Sequence, residues 1–150
     1  LPERAEPEAT GWDVKSAQPD RKAIILHSGE YVKIPLGIRA FCPKGWWLKL
    51  NPRSSTFAKK FQHCLYGVID TSFSGEILLA IQYLPNKIGT NDNLCLPTFT
   101  IEFGEPLGQL IPVKRVDMEV EQITNEKYDE LCLERNAKRG AGGFGSSDKT

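Results

Sequence analysis

The stretch Gly67-Val-Ile-Asp-Thr-Ser-Phe-Ser-Gly-Glu-Ile-Leu-Leu-Ala-Ile-Gln-Tyr83 joins two apolar runs through a turn of threonine, serine and glycine. Apolar runs bounded by turn residues are typical of strands in a β-hairpin. The second run, from Glu76 to Gln82, is apolar at successive positions. That pattern predicts a strand covered on both faces, which fits burial at a subunit interface.

The same pattern continues along the chain in both directions from this hairpin. Strands are predicted at 23–26, 30–34, 37–41, 46–50, 64–69, 76–83, 98–103 and 109–113. Glycine, proline, asparagine and aspartate separate them, and many short strands at close spacing predict a β barrel or sandwich. One segment differs: Asn125 is able to cap a helix and is followed by helix formers, which predicts a short helix over 125–135.

Length and charge limit the classes of protein to consider. The 150 residues, of which 40% are hydrophobic, suit one domain with its own core, and residues 1–9 are expected to be loose. Nineteen basic and 19 acidic residues balance, so total charge attracts neither nucleic acid nor a membrane. Between Glu30 and Asp70, however, every charged residue is basic. This stretch is either a solvated cationic face or a field suited to a polyanion.

Cysteine spacing and hydropathy predict the cellular setting. Cys42, Cys64, Cys95 and Cys132 form no Cys-x-x-Cys pair, which argues against zinc and favours small buried thiols. No apolar run is long enough to span a bilayer, and the first residues do not resemble a signal peptide. We therefore expect a reducing, cytoplasmic location, in a host cytoplasm if the source is viral, with the nucleus open for a eukaryotic source.

The segment near the end of the chain, Arg139-Gly-Ala-Gly-Gly-Phe-Gly-Ser-Ser147, has two interpretations. A segment so rich in glycine loses much backbone entropy on ordering, which is typical of a flexible tail. Its arginine and hydroxyls also suit phosphate oxygens, its backbone N–H groups can approach a ligand closely, and Phe144 suits a flat ring.

Four upstream pieces carry polar groups that suit a phosphate substrate. Asp13 lies two residues after Gly11 and is either a turn aspartate or functional. Asn51-Pro-Arg-Ser-Ser-Thr is a phosphate-friendly loop near a helix start. Asp70 lies between two predicted strands, where a general base is able to project, although a turn aspartate is the simpler interpretation. Gln109 enters an apolar strand and would donate either to a phosphate or to a backbone group.

Taken together and in order, these pieces resemble the five motifs of the trimeric all-β dUTPases (dUTP pyrophosphatases). The resemblance runs from Gly11-Trp-Asp-Val14 to the glycine-rich segment. It implies a jelly-roll-like β barrel over 1–135, with a short helix before a flexible arm over 136–150. It also implies a homotrimer with exchanged arms, in which each arm closes the active site of a neighbouring subunit, and hydrolysis of dUTP with Mg²⁺.

The resemblance also implies a role for each motif residue. Asp70 would activate the water that attacks the α-phosphorus, and Asp13 would help to organise Mg²⁺ through water, with no direct protein ligand to the metal. Phe144 would stack on uracil. The phosphates would be bound by Arg53, Ser54, Ser55, Gln109, Arg139, Gly145, Ser146 and Ser147. The uracil and deoxyribose would contact Gly67, Val68, Ile69 and Phe73.

Departures from the family pattern keep alternatives open. Phe73 stands where the family usually has tyrosine, and Cys64 stands near the place of an asparagine that precedes the Gly67 motif.

A dCTP deaminase would need a glutamate where this chain has Ala80, so deamination would lack its acid/base group. A partner-binding protein that keeps the same fold, with an unknown regulatory partner, is a second alternative. A nucleic-acid-binding barrel is supported only by Trp46 and Trp47, which are more often core or interface residues.

Overall fold

The computed structural model describes residues 1–85 and 98–137. The chain divides into two compact units, residues 1–116 and 117–150, which are taken separately below. The elements of the first unit are β1 (Trp12–Lys15), β2 (Ile24–His27), β3 (Tyr31–Pro35), β4 (Trp46–Pro52), α1 (Ser54–Ala58), β5 (Gln62–Cys64), β6 (Gly67–Ile69), β7 (Leu78–Tyr83), β8 (Thr98–Ile101) and β9 (Pro106–Lys114). The second unit holds α2 (Asn125–Glu134).

A four-stranded antiparallel sheet in the order β1-β9-β4-β6 forms the framework for the candidate site. Its inner face is apolar: Val14, Leu50 and Leu110 are buried on it. Because side chains alternate along a strand, the residues between these project from the outer face. Gly108 permits a close approach of β9 to β4, since a Cβ at this position would lie 2.8 Å from the carbonyl oxygen of Asn51.

Two smaller sheets, β3-β7-β5 and β2-β8, complete the first unit. In β7, Leu79, Ile81 and Tyr83 are buried, whereas Leu78 is 42% exposed and Gln82 is exposed. Within a single chain this strand therefore has one covered face, and cover of its second face by a neighbouring subunit stays a prediction. The run Glu76 to Gln82 contains apolar residues on the outer face as well, which is why its sequence shows no alternation.

Two strand predictions and one turn interpretation change in the structure. Residues 37–41 form no strand, because Gly37 takes a left-handed φ of 64° and packs so closely on Ala17 that a Cβ would lie 2.9 Å from that side chain. The predicted strand 64–69 is two strands in different sheets, β5 and β6. Asp13 lies inside strand β1, where it pairs with Gln109 and forms a bridge to Glu3, so the turn interpretation of this aspartate is wrong.

The second unit contains the predicted helix, with a different cap. Thr124, not Asn125, precedes the first helical residue, and its hydroxyl accepts a hydrogen bond from the N–H of Lys127 at 3.3 Å. Threonine and asparagine both serve as caps, and the residue that keeps extended backbone geometry takes the role. The same Thr124 hydroxyl and a backbone hydrogen bond lower the pKa of Glu126 in the first turn.

Within residues 1–85 and 98–137, no helix is both long enough and apolar enough to cross a membrane. Cys42, Cys64 and Cys132 carry free thiols and are half-buried, so the prediction of small buried thiols is met in part for them. Cys95 lies outside the described residues.

Candidate active site

Asp13 and Gln109 meet on the outer face of the four-stranded sheet. They are direct partners in the pairing of β1 with β9, and Asn51 of β4 pairs with Gln109 from the other side. Directly opposed residues of neighbouring strands project from the same face. The Nε2 of Gln109 donates to Oδ1 of Asp13 at 3.1 Å. The side-chain amide of Gln109 thus donates to a carboxylate, and its phosphate-binding role stays a prediction.

Arg53 adds a cation to this pair. It follows β4 directly, and its backbone N–H donates to the carbonyl oxygen of Leu107 at 3.1 Å. Its Nη1 lies 3.5 Å from Oδ2 of Asp13, so that both carboxylate oxygens of Asp13 contact donors. The two side chains remain 34% and 14% exposed, respectively. We call Asp13, Arg53 and Gln109 the Arg53 cluster.

The two serines predicted to bind phosphate lie beside this cluster. Ser54 and Ser55 are the first residues of α1, whose N-cap is Arg53. The predicted loop with a helix start is therefore confirmed as local structure. Its phosphate-binding role stays a prediction.

Asp70 lies at the other end of the same sheet. It follows β6, and its carbonyl oxygen accepts from the N–H of Phe73 at 3.0 Å, which closes a turn. Its side chain is exposed and lines a cleft of about 420 Å³. The cleft is lined by Trp47, Val68, Asp70, Thr71, Ser72 and Arg115, and we call it the Asp70 cleft.

The turn also fixes the position of the Phe73 ring. A Cβ at Gly75 would lie 2.8 Å from Cζ of Phe73, so the ring lies directly over this glycine. Phe73 is 41% exposed, and Gly67 to Ile69 form β6 next to it. Of the residues predicted to contact the nucleoside, Gly67, Val68, Ile69 and Phe73 therefore lie in the hairpin around Asp70.

A single chain keeps the Arg53 cluster and the Asp70 cleft apart. Ile69 pairs with Leu48, so Asp70 lies opposite Trp47, whereas Asn51 is the β4 residue opposite Gln109. Asn51 is four positions after Trp47, which is about 13 Å at the rise of a β-strand. The predicted base and the predicted phosphate-binding groups thus do not face one pocket in one chain.

Sequence reasoning missed three residues of these regions. Arg115 lines the Asp70 cleft, Thr56 is buried behind Arg53, and Thr71 follows Asp70. The two threonines lie inside the quoted motifs, so their hydroxyls were visible in the sequence. Arg115 lies just beyond β9, and only the fold brings it beside Asp70.

Five predicted site residues cannot be located: Arg139, Phe144, Gly145, Ser146 and Ser147 lie outside the described residues. Among those that the structure does describe, no group of three or more His, Cys, Asp or Glu residues is arranged to bind a metal ion. Asp13 alone offers a carboxylate within the Arg53 cluster. This donor set suits Mg²⁺ that keeps its waters and is held chiefly by substrate phosphates.

Cys64 ends strand β5 near the hairpin. Burial raises the pKa of the Cys64 thiol to about 11, because a thiolate loses solvation in these surroundings. Its Sγ lies 3.8 Å from the carbonyl oxygen of Gln62. At neutral pH Cys64 is a neutral, small apolar group rather than a nucleophile.

The all-β domain carries a cluster of a cation, a carboxylate and an amide, with hydroxyls beside it and a separate exposed carboxylate. These are the functional groups that a hydrolase acting on phosphate anhydrides needs. The family model described as dUTPase matches residues 1–148, and the chain belongs to the dUTPase family. The predicted family membership is confirmed by this match.

Individual relatives agree with this family. The deoxyuridine 5'-triphosphate nucleotidohydrolase of Bartonella bacilliformis is 30% identical, over 98% of this chain and 81% of the relative. A dUTPase of Staphylococcus bacteriophage 80alpha, solved with dUpNHpp, aligns with a TM-score of 0.76 at 23% identity, over 98% of this chain and 90% of that structure. A dUTPase from phage phi11 of S. aureus, described with a structural Mg(II) ion, aligns with a TM-score of 0.69 at 22% identity, over 83% and 90%. These likenesses confirm the dUTPase type of all-β fold.

Proposed function

We propose that this chain hydrolyses dUTP to dUMP and pyrophosphate, which supplies dUMP and keeps uracil out of DNA. The family match over residues 1–148 carries the proposal, and the exposed carboxylate of Asp70 supplies the group that the reaction needs. Asp70 takes a proton from a water molecule while the oxygen of that water attacks the α-phosphorus. The bond from that phosphorus to the α,β-bridging oxygen breaks, and pyrophosphate leaves with the electron pair.

The Arg53 cluster binds the phosphates in this proposal. Arg53 supplies the positive charge, Ser54 and Ser55 supply hydroxyl donors, and Gln109 supplies an amide near the α-phosphate. Phosphoryl transfer depends mainly on positioning and charge neutralisation, so no covalent nucleophile is needed. The networks around Arg53 hold these groups in place before substrate arrives.

The active site is shared between subunits of a homotrimer. The separation of Asp70 from Arg53 along β4 supports this, because one chain does not present both groups to one substrate. Exposed apolar side chains support it as well: Val68 is 64% exposed on β6 and Leu78 is 42% exposed on β7. Burial of such surface drives association.

Mg²⁺ assists the reaction by neutralising charge on the triphosphate. Asp13 is the residue of the Arg53 cluster that would contact the hydrated ion, while its own oxygens remain in contact with Gln109 and Arg53. The phage phi11 relative is described with a structural Mg(II) ion, which supports a role for magnesium in the fold.

Residues 136–150 form the arm that closes over the site of a neighbouring subunit. In this proposal Phe144 stacks on uracil, and the phosphate contacts come from Arg139, Gly145, Ser146 and Ser147. Removal of residues 136–150 should nearly abolish turnover and leave the oligomer intact, as measured by light scattering.

Pyrophosphate release from dUTP, dTTP, dCTP and UTP with Mg²⁺ tests the activity. We expect hydrolysis of dUTP and little of the other three. Equal rates with dCTP or UTP, or none with dUTP, would overturn the proposal. Release of ammonia from dCTP would instead indicate the deaminase that Ala80 argues against.

Mixed subunits test the shared site. The Asp70→Asn chain and the Arg53→Gln chain should each have low activity when assayed alone at a dUTP concentration below KM. Activity should return when the two chains are unfolded and refolded together. Recovery requires that one chain supply Asp70 and another supply Arg53. A mixture no more active than its components would show that each site is complete within one chain.

A further inference from the structure

Each half of the proposed site is tied to a β-strand by one threonine hydroxyl. Oγ1 of Thr56 donates to the carbonyl oxygen of Leu107 at 2.9 Å, and Oγ1 of Thr71 donates to the carbonyl oxygen of Trp46 at 2.6 Å. Thr56 lies three residues after Arg53, and Thr71 directly follows Asp70. Neither hydroxyl faces the substrate in the roles given above.

Thr56 anchors the segment that carries the phosphate-binding groups. It is fully buried, and its backbone N–H donates to the carbonyl oxygen of Arg53 at 3.0 Å. The carbonyl oxygen of Leu107 accepts from both the Thr56 hydroxyl and the Arg53 backbone N–H. Arg53 is therefore held to β9 from both ends of this short turn.

The same strand carries the other member of the cluster. Gln109 lies two residues after Leu107 and donates to Asp13, which in turn contacts the Arg53 side chain. These contacts thus form a closed ring of four residues: Leu107, Gln109, Asp13 and Arg53. The hydrogen bond from the Thr56 hydroxyl to Leu107 attaches this ring of contacts to α1.

Thr71 has the equivalent place at the other end of β4. Trp46 begins β4, and Thr71 starts the turn that Phe73 closes onto the carbonyl oxygen of Asp70. The Thr71 hydroxyl therefore fixes the turn against β4 one residue after the carboxylate. Asp70 itself is exposed, and its attachment to the sheet runs through its neighbours.

The geometry points to Thr56 and Thr71 as positioning residues with separable effects: Thr56 orients the phosphate-binding groups, and Thr71 orients the base. This inference rests on the proposed hydrolysis of dUTP. Phosphate contacts act in the ground state as well as the transition state, so a misplaced Arg53 raises KM. A misplaced base acts only on the chemical step, so it lowers kcat.

Valine and serine substitutions at both positions test the inference. Valine keeps the shape of threonine and lacks the hydroxyl, whereas serine keeps the hydroxyl. One net hydrogen bond is worth a fold-change of about five. We expect Thr56→Val to raise KM about fivefold with kcat within about twofold, and Thr71→Val to lower kcat about fivefold with KM within about twofold. Thr56→Ser and Thr71→Ser should restore both constants.

Two measurements independent of turnover accompany the kinetics. Thr56→Val should weaken binding of the non-hydrolysable analogue dUpNHpp more than binding of dUMP, whereas Thr71→Val should leave both affinities unchanged. Amide hydrogen exchange should accelerate at Arg53 in the first variant and at Phe73 in the second. Thr100→Val, at an exposed position of strand β8, is the matched control and should change none of these quantities.

The outcomes distinguish the inference from the function on which it rests. Wild-type chain that does not hydrolyse dUTP would overturn both. If the wild-type chain is active, three results would overturn the positioning roles alone. Both valine variants could be unchanged, or the effects on kcat and KM could be exchanged between them. Alternatively, each variant could show a lower kcat and an equally raised KM that serine does not restore.

Discussion

The two ends of strand β4 are built in opposite ways. At one end Asp13 contacts both Arg53 and Gln109, so that both of its carboxylate oxygens have donors. At the other end Asp70 is exposed at the edge of a cleft, while only its backbone takes part in the turn.

The difference matches the two tasks of hydrolysis. Phosphate binding gains from donors that are already oriented, because little reorganisation is then needed when the charged substrate arrives. A general base must keep its carboxylate accessible to the water molecule that it activates. A network like that of the Arg53 cluster around Asp70 would occupy the lone pairs that the reaction uses.

Removal of the base should give the largest effect. Asp70→Asn is expected to lower kcat about 100-fold or more, because a positioned base contributes about that factor, while dUpNHpp binding stays near wild type. Pyrophosphate release and calorimetric titration measure the two quantities. Asp20→Asn, in an exposed loop, is the control; loss of analogue binding in Asp70→Asn would show that Asp70 acts in binding.

Removal of the cation should come next. Arg53→Gln is expected to raise KM and the Kd for dUpNHpp roughly 10- to 100-fold, since a charge-assisted contact to phosphate is lost and Asp13 loses its cationic partner. Arg53→Lys should recover only part of the affinity, because a lysine does not reproduce the planar fork. Wild-type affinity in Arg53→Gln would remove the Arg53 cluster from substrate binding.

Displacement of the Phe73 ring should affect selectivity more than rate. Gly75→Ala places a Cβ where the ring lies, 2.8 Å from Cζ, so the ring must move. We expect the preference for dUTP over UTP, measured as a ratio of kcat/KM, to fall about tenfold, because in the proposed site the Phe73 ring packs on the deoxyribose and leaves no room for a ribose 2′-hydroxyl. Phe73→Tyr should keep the preference. An unchanged ratio in Gly75→Ala would separate the ring from sugar discrimination.

The smallest effect concerns Cys64, near the start of the Asp70 hairpin. Burial raises the pKa of the Cys64 thiol to about 11 from 9.0. Alkylation by iodoacetamide should therefore be slow at pH 8, and its rate should rise about tenfold per pH unit up to pH 10. Above pH 9 the unfolded chain releases a proton that the folded chain retains, so stability should fall slightly between pH 9 and 11. Mass spectrometry follows the modification, with Cys64→Ser identifying its signal. A rate that is flat across this range would contradict the raised pKa.

Most of the fold was accessible from the sequence, because strands leave a local pattern. The apolar runs before and after Asp70, the strand that contains Trp46 and Trp47, and the helix after Thr124 follow from residue type and turn chemistry. The strand predicted at 37–41 failed because the left-handed φ of Gly37 and its contact with Ala17 depend on a segment far away in sequence. The strand at Asp13 was missed because the strand that it pairs with, β9, lies far away in sequence.

By itself, the sequence determined the family and the chemistry of the site, since a carboxylate, an arginine, hydroxyls and an amide occur in a fixed order of motifs. The tertiary structure decided where these groups lie: Gln109 bonds to Asp13, Arg53 completes that cluster, and Asp70 lies about 13 Å along the sheet. Residue type is a local property that a sequence states directly. Strand register and the face on which a residue projects come from pairing between distant segments, and they settle which groups meet.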